Sequence, residues 1–501
     1  MKKPIGLFLI LLMVFILLSC GDTAVDNNKD TENKSSAGTE DVQDNIPEEK
    51  QNEKWTRIDP ELPNETFGGY TFNVLHWFVS GWQFDDCMDI VPDESSTGEV
   101  FNDAVYTRNK TIEEKYDIKI NLTRMDVGEI SGALKKMIAA DENTYDLVYA
   151  RLVDTKSLVT NGYFINLYDI PYLDFDMPWW DKRSLDGLSV GGKTYLASSD
   201  ISVLDKDYIG CVLFNKKLAA EYELGNLYDV VANGGWTLDY LMELCRDKTR
   251  DLNGNGTIDQ DDFIPFIGGD MVTNIFFNGM GAKFAEKDEN DLPVLSFNTE
   301  RTINVCLNIL DFMYDTSIFL NNENIKADPK YGENSLFENQ RALFIIGFLN
   351  SARRLRGMEI DFGVLPQPKL NKTQESYISG FNIHAMGLLS VPVTAPNLER
   401  TGIITEALSA ESRYTVQPAY YDLSLKGKYV RDNESEDVLD ILIDTRSYDL
   451  GYVYDFGGFA GQWLRVANTG SKDIVSMYEK VEKTMLSDVE KFTNQLEKLE
   501  Y

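Results

Sequence analysis

The sequence predicts an α/β fold, a sheet carrying helices on its faces, and the start of its body shows why. "YTFNVLHWF" (70–78) alternates in polarity and is rich in aromatic and β-branched residues, the pattern of a strand. "NDAVYTRNKTIEEKYDI" then spaces its apolar residues as a helix does, and "KINLTRM" returns to strand. "ISGALKKMIAADENTYDLVYA" repeats the cycle with a helix, a polar turn and a short apolar strand. Strands and helices alternating in this way pack as layers around a sheet.

The later elements follow in order. "GGKTYLASSDIS" and "IGCVLFNKKLA" read as strands, the second leading into a helix. "GWTLDYLMELCRDKTR" reads as a helix with Thr237 as its N-cap and basic residues in its last turn. "TINVCLNILDFMYD" and "SLFENQRALFIIG" each separate an apolar from a polar face, the second ending in the strand "ALFIIG". "IDFGVLPQPKL" is a strand running into a proline-rich crossing, "ISGFNIHAMGLLS" a further strand, and "SKDIVSMYEKVEKTMLSDVEKFTNQLEKL" one or two amphipathic helices.

At 501 residues, 43% hydrophobic and 12% aromatic, the chain suffices for two or three domains or one two-lobed body. Its 81 acidic and 48 basic residues leave a formal charge of -33, which argues against nucleic acid and anionic membrane faces as partners. Two histidines leave little room for triads or histidine-metal catalysis, and no GxSxG, HExxH or Walker loop occurs. Paired carboxylates, as in a glycan hydrolase, stay open.

"MKKPIGLFLILLMVFILLSCGD" has the two lysines and apolar run of a signal peptide, placed at 1–20. Its Leu-Leu-Ser-Cys ending resembles the bacterial lipobox, which implies lipidation of Cys20; the alternative is an uncleaved membrane anchor. Either places the body outside the cytoplasm. Residues 21–54 contain no aromatic residue and almost nothing aliphatic, so they cannot offset their ordering entropy. A disordered acidic tether is expected over 21–66, and the body over 67–501. Cys87, Cys211, Cys245 and Cys306 have no CxxC spacing; disulfides and buried free thiols are both open.

"DLNGNGTIDQDD" places Asp251, Asn253, Asn255, Thr257, Asp259 and Asp262 at loop positions 1, 3, 5, 7, 9 and 12, with Gly256 at 6. That is the donor order of a Ca²⁺ loop, Thr257 acting through its carbonyl. "FIPFIGG" follows where an EF-hand has its exiting helix, so a lone structural calcium brace is expected, the alternative being a plain Asn-Gly turn.

Several stretches resemble the extracellular substrate-binding lipoproteins of bacterial ABC importers, the sugar-binding group. They are "TYDLVYARLVDTKSLVTNGYFINL", "CVLFNKKLAAEY", "NGGWTLDYLMEL", "FENQRALFIIGF" and "FGVLPQPKLNKTQESYIS", over roughly residues 67 to 501. Gln340 stands where the family has Gly, and Phe348 where a Trp is common. The resemblance implies a periplasmic-binding-protein-like fold with hinge strands and a ligand cleft between two lobes. Lobe one would take about 67–203 and 378–415, lobe two about 204–377, with 416–501 packing on both. It implies no catalysis: a monomer anchored outside the membrane binds a carbohydrate, closes on it, and passes it to permease subunits. A hydrolase, a glycan-binding adhesin, or a binder of peptides or other polar solutes are the alternatives.

Sugars need aromatic platforms and a few polar groups, and such sites lie beyond the carboxyl ends of strands. That selects His76, Trp77 and Trp82 after the first strand, Arg151 after "YDLVYA", Asp200 after "KTYLASS", Phe348 and Asn350 after "ALFIIG", and Trp463 in a glycine-rich loop. Some have structural alternatives: Trp77 and Trp82 in a core, Arg151 in an ion pair, Asp200 capping a turn. Trp179 and Trp180 are expected to pack against the body.

Overall fold

The computed structural model describes residues 55–79, 89–92, 98–324, 333–355, 361–425 and 434–499. The signal peptide, Cys20, the tether to residue 54, Trp82 and Cys87 lie outside the described residues. Among the described residues eleven strands occur: β1 (Tyr70–Phe78), β2 (Ile118–Asp126), β3 (Leu147–Arg151), β4 (Gly210–Asn215), β5 (Phe266–Gly268), β6 (Ala285–Lys287), β7 (Pro293–Leu295), β8 (Phe319–Asn321), β9 (Phe344–Phe348), β10 (Phe362–Leu365) and β11 (Gly387–Ser390). They form a four-stranded sheet in the order β11-β3-β1-β2, a five-stranded sheet in the order β10-β4-β9-β5-β8, and the hairpin β6-β7.

In the first sheet β1 runs parallel to β2 and β3, with Tyr70 opposite Ile118 and Val74 opposite Leu147. The two-residue period of a strand sends Phe72 and Val74 into one core and Leu75 and Trp77 into another. Leu147 and Tyr149 of β3 divide from Val148 and Ala150 in the same way, which is why that strand reads as continuously apolar. The first core also takes Trp179 and Trp180, whose indoles donate to Glu406 at 2.8 and 2.9 Å. The packing role expected of that pair holds.

In the second sheet β5 is parallel to β8 and β9, while β4 is antiparallel to β9 and β10. Phe266 packs among Phe276, Phe312, Phe319 and Phe344, with ring centroids 5.0–6.5 Å apart. Thr237 caps its helix by accepting from the Tyr240 amide, but that helix ends at Cys245, before the basic residues expected in its last turn. Asp247, at φ 58, has already turned the chain away. Gln340 also has positive φ, 56, and closes the helix Glu333–Glu338: its amide donates to the Phe337 carbonyl and that of Arg341 to Leu336. This is a Schellman ending, whose left-handed residue is usually Gly.

Other expectations need correction. "GGKTYLASSDIS" forms no regular strand; it makes only isolated bridges, Lys193 with Val190, Ala197 with Leu389 of β11, and Ser199 with Trp180. "ISGFNIHAMGLLS" is a strand only over β11, and its first half is crossing chain. Residues 55–66 are not tether. Trp55 packs edge-on against Tyr421 at 5.5 Å, and Arg57 pairs with Glu411 at 2.7 Å. One aromatic and one cation are enough to order the chain just past the featureless stretch. Cys211, Cys245 and Cys306 are free and buried, with burial pushing each thiol up. No helix among the described residues is long and apolar enough to cross a membrane.

Candidate functional site

Among the described residues, two segments that run between the sheets pair side by side. Ile209 pairs with Phe381 and Ser379 with Arg446. The Gly210 amide donates to the Gly380 carbonyl at 2.9 Å, and the Asn382 amide to Tyr208 at 3.1 Å. Beside the crossing runs a buried chain of charge. Arg446 pairs with Asp205 and, at 2.9 Å, with Asp181; Lys206 lies 3.4 Å from Asp205 and 3.5 Å from Asp200, which meets Arg413 at 3.2 Å. Burial pushes Asp181 up, yet Arg446 and Arg183 together hold it below the ordinary carboxylate range. These pairs tie the approach to the crossing, at 200–207, to the segments that return from it.

The carboxyl ends of the parallel strands supply polar groups on both sides. Beyond β3, Arg151 pairs with Asp154 at 2.8 Å, and His384 lies near by, its pKa lowered by burial and then by the Arg151 charge. Beyond β5 comes Gly-Gly-Asp. A Cβ on Gly269 would stand 2.5 Å from the Asn322 Oδ1 that follows β8, so a larger residue there would push that side chain aside. Asp270 is pushed up to about 6 by burial and by the neighbouring Glu323. Asp455 is also raised, chiefly by burial, and the Arg465 cation opposes the shift in both. Among the described residues, Asn350 Oδ1 just beyond β9 and Nδ2 of Asn278, in the helix Met271–Gly279 near the crossing, are buried without a hydrogen-bond partner. Buried carboxamide groups without partners are rare, and one just past a strand end is a group ready for a polar ligand.

No family model matches the chain, and no curated relative matches it. Solved structures do match. An ABC substrate-binding protein from Listeria monocytogenes, in complex with cycloalternan, has 10% identity and a TM-score of 0.50, covering 86% of this chain and 99% of that one. A cyclo/maltodextrin-binding protein complexed with maltotetraose has 13% identity and a TM-score of 0.52, covering 86% and 99%. The galacto-N-biose-/lacto-N-biose I-binding protein of an ABC transporter from Bifidobacterium longum, in complex with lacto-N-biose, has 11% identity and a TM-score of 0.51, covering 85% and 98%. This is the two-lobed binding-protein fold. One sheet lies in each lobe, and segments 208–210 and 379–382 pair between them.

Within that fold the residues chosen from sequence divide. Phe348 and Asn350 do meet at the end of β9, with Phe348 edge-on to Tyr208 of the crossing at 6.1 Å. Arg151 stands at its strand end but is engaged by Asp154. His76 is wholly buried: Nδ1 donates to the Trp77 carbonyl at 2.6 Å and its ring stacks on Tyr149 at 5.3 Å. Burial lowers its pKa, so it is a neutral core histidine. Trp77 is likewise core, so close to Gly387 that a Cβ there would stand 2.7 Å from its indole nitrogen. Asp200 belongs to the buried ion chain. Trp463 has 0% exposure and packs against Phe277 and Phe297 at 5.9 and 6.3 Å, which removes it from the ligand set. Of the glycines before its helix, Phe459–Val466, Gly457 lets the chain pack on Met485, where a Cβ would stand 2.8 Å from the side chain. Sequence reasoning missed Asp270, although "FIPFIGGD" shows the same strand-then-polar pattern that selected Asp200.

The 251–262 loop has the turns its sequence implies. Asp251 accepts from the amides of Gly254 (2.6 Å) and Gly256 (2.8 Å), Asn253 from Asn255 (2.9 Å), Asn255 from Thr257 (2.7 Å) and Asp259 from Asp261 (2.8 Å). Asp262 accepts from Leu252 at 2.8 Å and Asp259 at 2.9 Å, closing the loop on itself. The Gly256 amide, foremost, holds the Asp251 carboxyl below its ordinary range. Gly254 and Gly256 take φ 72 and 78. Donor spacing and turns fit Ca²⁺; yet among the described residues no three His, Cys, Asp or Glu side chains converge to hold a metal ion. The carboxylates are engaged as caps on the loop's own backbone.

Proposed function

We propose that this chain is a lipid-anchored, extracytoplasmic solute-binding protein that closes on a carbohydrate and delivers it to ABC permease subunits. The observation that carries this reading is the hinge. Segments 208–210 and 379–382 pair where they run between the two sheets, and nearby strand ends carry Asp270, Asn350 and the Arg151–Asp154 pair. The fold neighbours described above hold sugars, which supports carbohydrate as the solute class, an oligosaccharide first. Phe348 supplies the apolar face against which a sugar ring packs, and the carboxamide and carboxylate groups receive its hydroxyls. The work is done by binding and closure, without covalent chemistry. Cys20 carries the lipid, the acidic 21–54 segment spaces a monomeric body from the membrane, and the 251–262 loop takes Ca²⁺ as a brace for the second lobe.

The test is thermal melting of the full-length chain against a glycan panel, with the sugars analysed afterwards. A melting rise with one sugar recovered intact, diminished in Asp270→Asn and Asn350→Ala, is the expected result. Cleavage of the sugar would move the protein to the hydrolase class, for which the raised Asp270 beside Glu323 would be the acid to examine. Silence across the panel, with a rise on peptides, would overturn the carbohydrate reading.

A further inference from the structure

The hinge contains a side chain that belongs to neither crossing strand. Gln367 follows β10 of the second lobe and is wholly buried. Its Nε2 donates to the carbonyls of Gly210 and Gly380, both at 2.9 Å, and its Oε1 accepts from the Gly380 amide at 3.1 Å. The carboxamide thus bonds to both crossing strands where they already pair with each other.

The slot around this amide is lined with glycine. A Cβ on Gly279, the last residue of the helix Met271–Gly279, would stand 2.6 Å from Gln367 Oε1 and 2.7 Å from its Cβ. A Cβ on Gly210 would stand 3.0 Å from Gln367 Nε2 and 2.6 Å from Ile275, and one on Gly380 would stand 2.7 Å from Asn278. Any side chain at these three positions would displace either the amide or the second-lobe helix behind it. Gln367, Gly279, Ile275 and Asn278 all belong to the second lobe, so Gly210 and Gly380 are tied to that body. Outward of the clasp, the Leu349 amide of the second lobe donates to the Ile209 carbonyl and the Asn382 amide to Tyr208, both at 3.1 Å; away from the crossing, the Gly191 and Gly192 amides meet Asp291 of the β6-β7 hairpin, both at 3.0 Å.

We propose that the Gln367 carboxamide is a hinge clasp: it holds Gly210 and Gly380 rigidly to the second lobe and confines bending to 208–209 and 381–382. Gln367 is a positioning residue, acting through backbone it holds. The inference rests on the reading of this chain as a protein that closes on its ligand. Without the clasp, strain from closure would spread into β4 and β10, and the two lobes would no longer meet along one path.

The test reads the hinge without any ligand. A fluorophore pair is placed through non-canonical amino acids at exposed Lys119, on β2, and exposed Asn304, on the helix Glu300–Tyr314 of the second lobe. Single-molecule energy transfer is then recorded in the full-length chain. Gln367→Met, which keeps the length of the side chain and removes all three bonds, should broaden the interlobe distribution. It should also change the exchange rate roughly five- to tenfold, the scale of one net buried hydrogen bond. Phe312→Leu, in the second-lobe core, is the control for a loss of stability alone. A Gln367→Met protein that is destabilised like the control but keeps the wild-type distribution overturns the clasp. Should Gln367→Met fail to fold, Gly279→Ala displaces the amide instead, and an unchanged distribution there overturns it equally. A wild-type chain that shows no interlobe motion, with or without sugar, overturns both the clasp and the closure reading. Motion without any sugar affinity leaves the clasp standing and removes only the carbohydrate.

Discussion

Glu406 gives the sharpest stability prediction, because its environment is buried and its partners are all donors. It lies on the helix Leu398–Tyr414, accepting from the Trp179 and Trp180 indoles and, at 3.3 Å, from the Asp174 amide. Burial pushes its carboxyl from 4.5 up to about 7, with the two indole bonds holding it lower than burial alone would. Between those values the folded protein keeps a proton that the unfolded chain has lost, so stability falls as pH rises through the window and levels off above it. At about 1.4 kcal/mol per pH unit the loss amounts to about 3 kcal/mol. Glu406→Gln cannot titrate and lacks this dependence. Urea unfolding of both proteins at about pH 4.5, 6 and 7.5 isolates it, since every other group titrates alike in the two. The stability of the wild type minus that of the variant should fall by about 3 kcal/mol from the lowest to the highest pH. A constant difference would mean that Glu406 ionises as in water, and the account of the tryptophan pair as a seal over a buried carboxyl would be wrong.

Three further outcomes are expected. Gln340→Gly should raise the urea midpoint, by about 1 kcal/mol of stability, because glycine takes φ 56 without the Cβ strain; a loss would mean that the Gln340 side chain makes a contact worth more than its strain. Trp463→Ala should cost about 3–5 kcal/mol as a cavity among Phe277 and Phe297, with ligand affinity per folded molecule unchanged. An affinity loss without a stability loss would return Trp463 to the cleft. Asp251→Ala should abolish the melting difference between calcium and chelator while sparing ligand binding, and a chelator effect persisting in the variant would place the ion elsewhere.

What the sequence determined by itself was whatever depends on neighbours along the chain. The alternation in "YTFNVLHWF" specifies β1 because a strand's side chains divide between its faces whatever lies beyond them. Thr237 reads as a cap because its hydroxyl bonds an amide three residues on, and the 251–262 turns follow from Asx side chains and glycines acting locally. The order of strands and helices was enough for an α/β sheet with helices on its faces; the division into two lobes came from the resemblance. The tertiary structure alone decided which of the candidate aromatic and polar residues are buried in packing or held in ion pairs. Trp463 and Asp200 stand in local sequence as suitable for a ligand as that around Phe348, but packing against Phe277 and pairing with Lys206 engage them elsewhere. Asp270 and Gln367 acquire their roles only where strand ends and crossing chain distant in sequence come within hydrogen-bond reach. Burial and charge pairing are sums over such neighbours, and no short stretch of sequence carries them.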